Sequence, residues 1–187
     1  MSILTSKNDE DIAKSVQSGQ VDLFGILVDR YEEKMKRYAR KFLYDTEDAQ
    51  DVIQEIFLKT YENINSFDTK RKFSTWLYRI AHNELINALK KKKTLPLFDL
   101  DKFFPHHYHD NGLSQQIDRQ DTRQIINQHL GKLEPKYREP IILYYLEGLS
   151  YKEIADVLHI PVSTVGIRIK RAKEAMKTTL KKIGYNL

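Results

Sequence analysis

From Phe67 to Lys93 the chain carries Leu77, Ala81, Leu85 and Ala88 at helical spacing, an apolar stripe that needs a core on one side only. A half-buried strand would instead alternate with period two, and no segment of the chain does so. The expected fold class is therefore all-α. Roughly opposite the stripe stand Trp76, Arg79, Asn83, Asn87 and Lys90. An aromatic ring, a guanidinium, two amides and an ammonium can stack on bases, read their edges and neutralise phosphates. Between Lys70 and Lys93 the bases Lys70, Arg71, Lys72, Arg79 and the run from Lys90 to Lys93 face a single acid, Glu84. A nucleic-acid surface follows from this, and the plainer alternative is a solvated basic face with Trp76 turned into the core.

The flanking segments read the same way. Ile12, Ala13 and Val16 mark a first helix over about 9–17, closed by Gly19. A long amphipathic helix is expected from Val21 to Phe42, built on Phe24, Leu27, Val28, Tyr31, Met35, Tyr38, Ala39 and Phe42. Asp45 opens the next helix as its cap, with acids in the first turn favoured by the helix dipole. That helix is expected to bury Ala49, Val52, Ile53, Ile56 and Phe57. Its other side shows Glu47, Asp48, Asp51 and Glu55 with Gln54 beside them. Acids three and four residues apart repel along a helix, so the face is either simply solvated or a dock for a basic partner.

Past Lys93 the period is lost. Leu95-Pro96, Phe104-Pro105 and Asn111-Gly112 are breaker signals, so 94–117 is expected to link a domain at 1–93 to one at 118–187. His106, His107, His109 and Asp110 lie in that linker without supporting ligands elsewhere; no metal site is expected there. Helix resumes through Ile117, Ile125, Ile126, Leu130 and Leu133, breaks at Pro135, and runs again from Lys136 to Glu147 until Gly148.

Leu149-Ser150-Tyr151-Lys152-Glu153-Ile154 has the pattern of a capping box with a hydrophobic staple. A short helix to Leu158, a turn at His159-Ile160-Pro161 and a last helix opened by Ser163-Thr164-Val165 form a helix-turn-helix. The last helix is expected to bury Val165, Ile169, Ala172 and Met176. It then presents Thr164, Arg168, Lys170, Arg171 and Lys173 to a major groove; a plain helical hairpin with a basic exterior is the alternative.

The net charge of the 187 residues is only +5, but two distant basic segments hold the excess, which suggests two contacts with one polyanion. The absence of cysteine excludes disulfides and thiolate metal sites. The longest apolar run, Ile141 to Leu146, is far short of a membrane span, and residues 1–10 lack a signal-peptide core, so the expected location is cytoplasmic.

Three blocks together resemble the small two-domain sigma factors of bacterial RNA polymerase, the extracytoplasmic-function (ECF) group of the sigma-70 family. They are Asp48 to Phe57, Phe73 to Asn83, and Gly148 to Ala155 continued by Ser163-Thr164-Val165, in the family's order and spacing. The resemblance implies a dissociable specificity subunit rather than an enzyme. It would direct core polymerase to promoters, with no cofactor, in an envelope or stress response. Asp48, Asp51, Gln54 and Glu55 would then dock on the clamp of the largest catalytic subunit, with the flap as a further contact. Phe67, Lys70, Arg71 and Lys72 match the loop that pockets a base flipped out of the −10 element. Arg79, Ile80 and Asn83 match positions lining that pocket, and Trp76, Asn87 and Lys90 extend the face. Ser163, Thr164, Arg168, Lys170, Arg171 and Lys173 fall on the reader of the −35 element. An anti-sigma partner is implied as well, often membrane-bound where the sigma factor itself is not.

The pattern is broken at three places: Asn87 where aspartate is common, His159 in place of the turn glycine, and the pair Gly166-Ile167 in place of a basic and a small polar residue. Two other classes remain at this stage. A conventional helix-turn-helix regulator would bind duplex as a symmetric dimer, and would leave the first domain without a role. A metal-dependent hydrolase would rest on His106, His107, His109 and Asp110.

Overall fold

The computed structural model describes residues 7–43, 45–92 and 129–182, and the described residues form helices joined by turns. The chain divides into two compact units, Met1–Leu95 with Lys152–His159, and Pro96–Tyr151 with Ile160–Leu187.

In the first unit, α1 (Asp9–Gln17) starts at Asn8, whose side chain accepts from the Asp11 amide at 2.7 Å. It buries Ile12, Ala13 and Val16 and ends at Gly19, where φ is +98°. The expected long second helix is shorter: Val21–Leu23 is a 3-10 turn and α2 spans Phe24–Ala39. Phe42 stays in the core beyond its end, while Phe24 and Val28 are half-buried. The Asp45 carboxylate caps α3 (Thr46–Glu62) through the amides of Glu47 at 2.8 Å and Asp48 at 3.3 Å. α3 buries Ala49, Val52, Ile53 and Ile56, and Phe57 is half-buried rather than in the core.

The fourth helix, α4 (Phe73–Lys92), packs against both α1 and α3. Its core side is broader than the four-residue stripe. Phe73, Leu77, Tyr78, Ala81, Leu85 and Leu89 are buried, and Ala88 is only half-buried because Leu89 takes the inward position in the last turn. Tyr31 stacks edge-on against Phe73 at 5.6 Å, and Tyr38 against Tyr78 at 5.4 Å. The Tyr31 hydroxyl donates to Asp9 at 2.6 Å. Burial first, and then that bond, hold the phenol protonated far above its ordinary range.

In the later part of the chain, Pro135 is the first residue of α5 (Pro135–Tyr145), a position where its missing N–H costs nothing. A second proline, Pro140, lies buried inside the helix. The helix stops at Tyr145, two residues before the expected end, and Gly148 turns the chain away at φ +71°. α6 is Tyr151–Leu158 and α7 is Val162–Lys182. Between them His159 adopts φ +53°, a left-handed conformation uncommon for a residue other than glycine. Leu130, Leu133, Ile141 and Ala172 form a small core with Tyr137 and Met176 packed against it.

Candidate nucleic-acid interface

On α3, Asp51, Gln54 and Glu55 are exposed on the side away from Val52, Ile53 and Ile56, while Asp48 is half-buried in the first turn. Glu55 lies 3.6 Å from Lys59, and Lys59 reaches Glu84 of α4 at 3.4 Å. Glu84 chiefly holds that ammonium above its usual range. The acidic face is thus edged by one lysine that ties α3 to α4.

Two residues of α1 that the sequence patterns did not single out build the loop before α4. Gln17 donates from one amide nitrogen to the carbonyls of Ile64 at 2.7 Å and Phe67 at 2.8 Å. Glu10 accepts from the Phe73 amide at 2.8 Å and so caps α4 from 63 residues away. Their only sequence signal is shared position, seven residues apart beside the buried Ile12, Ala13 and Val16. Asp68 closes the loop by accepting the Lys70 amide at 3.0 Å.

Phe67 corrects its expected role. It is 4% exposed, with its ring 5.5 Å from Phe73 and 5.1 Å from Trp76. No incoming base can stack on a ring so covered; Phe67 is the floor that holds Trp76, and Trp76 is the half-buried ring at the surface. Lys70, Arg71 and Lys72 are exposed on the same loop. Phe67, Arg71, Lys72, Trp76 and Arg79 line one recess together with Thr75. Along α4 the face continues through half-buried Ile80, exposed Asn83 and Asn87, and half-buried Lys90. The alternative of Trp76 fully tucked into the core does not hold.

On α7 the inward stripe is Val165, Ile169 and Ala172, with Met176 half-buried. Ser163, Lys170, Arg171 and Lys173 are exposed, and Thr164 and Arg168 half-buried. Arg171 donates to the Tyr137 hydroxyl at 3.3 Å, and Lys170 stands 4.0 Å from Glu174. At Gly166 an added Cβ would meet only the Tyr151 ring at 3.6 Å, an ordinary contact. A third residue missed in the sequence is Arg138, 1% exposed, which donates to the carbonyls of Leu133 at 2.9 Å and of Gly131, fixing the turn before α5.

His106, His107, His109 and Asp110, like the whole expected linker, lie outside the described residues. Among the described residues no group of three or more His, Cys, Asp or Glu could hold a metal ion, and no helix is long and apolar enough to cross a membrane.

Family models place sigma-70 region 2 on residues 27–94 and sigma-70 region 4 on residues 123–176. The first holds most of α2 with α3 and α4; the second holds α5, α6 and most of α7. The Bacillus subtilis ECF RNA polymerase sigma factor SigW is 38% identical over 178 residues, 90% of this chain and 94% of that one. The chain belongs to the ECF sigma factors. The Escherichia coli ECF sigma-E factor is 35% identical over 90% of this sigma factor and 92% of its own length. Among solved structures, CnrH in complex with the cytosolic domain of CnrY matches 93% of this sigma factor and 97% of CnrH, at 27% identity and a TM-score of 0.69. RpoE of Bartonella quintana, solved with the anti-sigma factor NepR, shares the fold at 23% identity and a TM-score of 0.65.

Proposed function

We propose that this ECF sigma factor directs core RNA polymerase to promoters by dividing recognition between the α4 face and α7. The observation that carries the reading is the surface stripe of Trp76, Arg79, Asn83 and Asn87 beside the cationic loop Lys70, Arg71 and Lys72. A half-buried indole held on a fixed aromatic floor is a ready platform for an unstacked base. Stacking of that kind offsets the few kcal/mol needed to take a base out of the duplex. Ile80 walls the recess, Arg79 and Lys90 answer phosphates, and the two asparagine amides read base edges. Asn87 differs from the common aspartate in offering donors as well as acceptors, which suits a different base at that end.

Asp48, Asp51, Gln54 and Glu55 serve as the dock for the polymerase clamp, with the half-buried Asp48 at its rim. Ser163, Thr164, Arg168, Lys170, Arg171 and Lys173 hold α7 in the major groove of the −35 element. In this scheme Arg171 leaves Tyr137 for a phosphate, a modest exchange because their 3.3 Å bond lies at the surface. The segment 94–117 links the two domains. Chemistry stays with the polymerase, in the cytoplasm, and a protein partner restrains the chain, as the CnrH complex with the cytosolic domain of CnrY suggests by analogy.

The test is in vitro transcription with core polymerase on a library of random promoters. The expected result is enrichment of a small set of paired −35 and −10 sequences. Start-site selection no better than that of core alone would refute the reading. In the same assay, Asn83→Ala should relax choice at one −10 position, whereas Lys91→Ala should weaken all promoters alike.

A further inference from the structure

One side chain on the outer face of α7 fits neither the core nor a phosphate contact. Ile167 is 54% exposed, directly opposite the buried stripe of Val165, Ile169 and Ala172. Its neighbours one turn away are Ser163, Thr164, Lys170 and Arg171, all polar or charged and all exposed except the half-buried Thr164. A single apolar side chain at a surface is ordinary. The centre of a cationic helix face is a poor place for one, because whatever covers that face must be anionic yet must also desolvate a branched hydrocarbon. Duplex DNA meets both needs: phosphates answer the cations, and the major groove offers one apolar group, the C5 methyl of thymine.

Gly166 strengthens the fit. Nothing within the protein excludes a Cβ there, since the nearest group, the Tyr151 ring, would stand at 3.6 Å. The glycine therefore does not answer an internal clash, and it adds no side chain that would compete with Ile167 for the same base edge. Building on the proposed −35 role of α7, we infer that Ile167 reads a thymine by its methyl group, through apolar contact rather than a hydrogen bond. The −35 element of this sigma factor then contains, on one strand, a thymine whose methyl contributes to recognition at the position Ile167 faces.

The experiment uses holoenzyme made from core polymerase and the full chain, on the best promoter from the random library. Each −35 thymine is replaced in turn by deoxyuridine, which deletes the methyl and keeps every hydrogen-bonding group. One replacement should weaken promoter binding about fourfold, the worth of one buried methyl, and the others should leave it unchanged. Ile167→Ala should bind the thymine and uridine promoters equally, while Ile167→Val should keep most of the difference. A selected −35 element without thymine on either strand, or a uridine effect that persists in Ile167→Ala, overturns the inference. So does the absence of any uridine effect, and if Ile167→Ala then weakens only a protein partner, the residue belongs to that contact instead. If no promoter is selected at all, the promoter-directing reading fails first, and this inference falls with it.

Discussion

Phe67 and Trp76 are adjacent rings with different fates, and substitution separates them. Truncating a core phenylalanine removes its transfer energy and leaves a cavity, at a cost of about 3–5 kcal/mol. Phe67→Ala should therefore lower the unfolding free energy by roughly that amount in denaturant titration. Trp76→Ala should cost less stability, because its ring is half-buried, and should cost more in −10 binding measured at equal folded fraction. Gly166 gives the residue-scale test on α7. Alanine there should stabilise the helix by about 1 kcal/mol, because the structure leaves room for the methyl. Gly166→Lys should tighten −35 binding and steepen its salt dependence by about one phosphate contact, as read from holoenzyme affinity over a salt series. Weaker binding at every salt would mean that the DNA backbone needs that space itself. His159 stood out only through the family resemblance, as a departure from the turn glycine, and that its backbone keeps the left-handed turn was not legible. Nor was the burial of Phe67, because helical periodicity says nothing of a loop residue that folds back under the next helix.

At the scale of elements, caps and breakers marked the ends well where they act locally. Asp45 before α3, Gly19 after α1 and Pro135 at the start of α5 all work within their own turn. They failed where a distant residue decides. Nothing near Phe73 announces that Glu10 accepts its amide. The broader inward side of α4 has the same origin, since α4 packs on both α1 and α3. The acidic side of α3 makes an element-scale prediction. Asp51 and Glu55 lie one turn apart and exposed, opposite a core-facing side already in use. Asp51→Lys with Glu55→Lys should leave the circular dichroism and melting temperature nearly unchanged and abolish capture of core polymerase at physiological salt. Replacing Glu55 also breaks a solvent-exposed pair with Lys59, a loss too small to move the melt. Undiminished capture would remove α3 as the dock.

At the scale of the whole molecule, the helices of residues 9–92 bury a continuous set of side chains, from Ile12 through Leu89. Such a core is large enough to fold as a domain. A fragment ending at Lys93 should melt cooperatively and compete with the full chain for core polymerase, while giving no protection of −35 DNA. A fragment that melts without a transition would show that residues beyond Lys93 complete this core. The all-helical class and the twofold division were readable from period and punctuation, because both are written into local spacing. Which loop carbonyls Gln17 would hold was not, because that depends on where 47 and 50 further residues bring the chain.

The bonds from α1 to the loop before α4 also impose an order on biosynthesis. Glu10 leaves the ribosome before its partner, because the amide it must meet belongs to a residue 63 positions later. At ordinary translation speeds of about 5–20 residues per second, that is roughly 3–13 s in which α1 has no α4 to cap. The nascent chain spends that interval with α1 free to pack on α2 but not yet on α4. The length of that wait is therefore set by the ribosome, and it ends only when Phe73 has emerged.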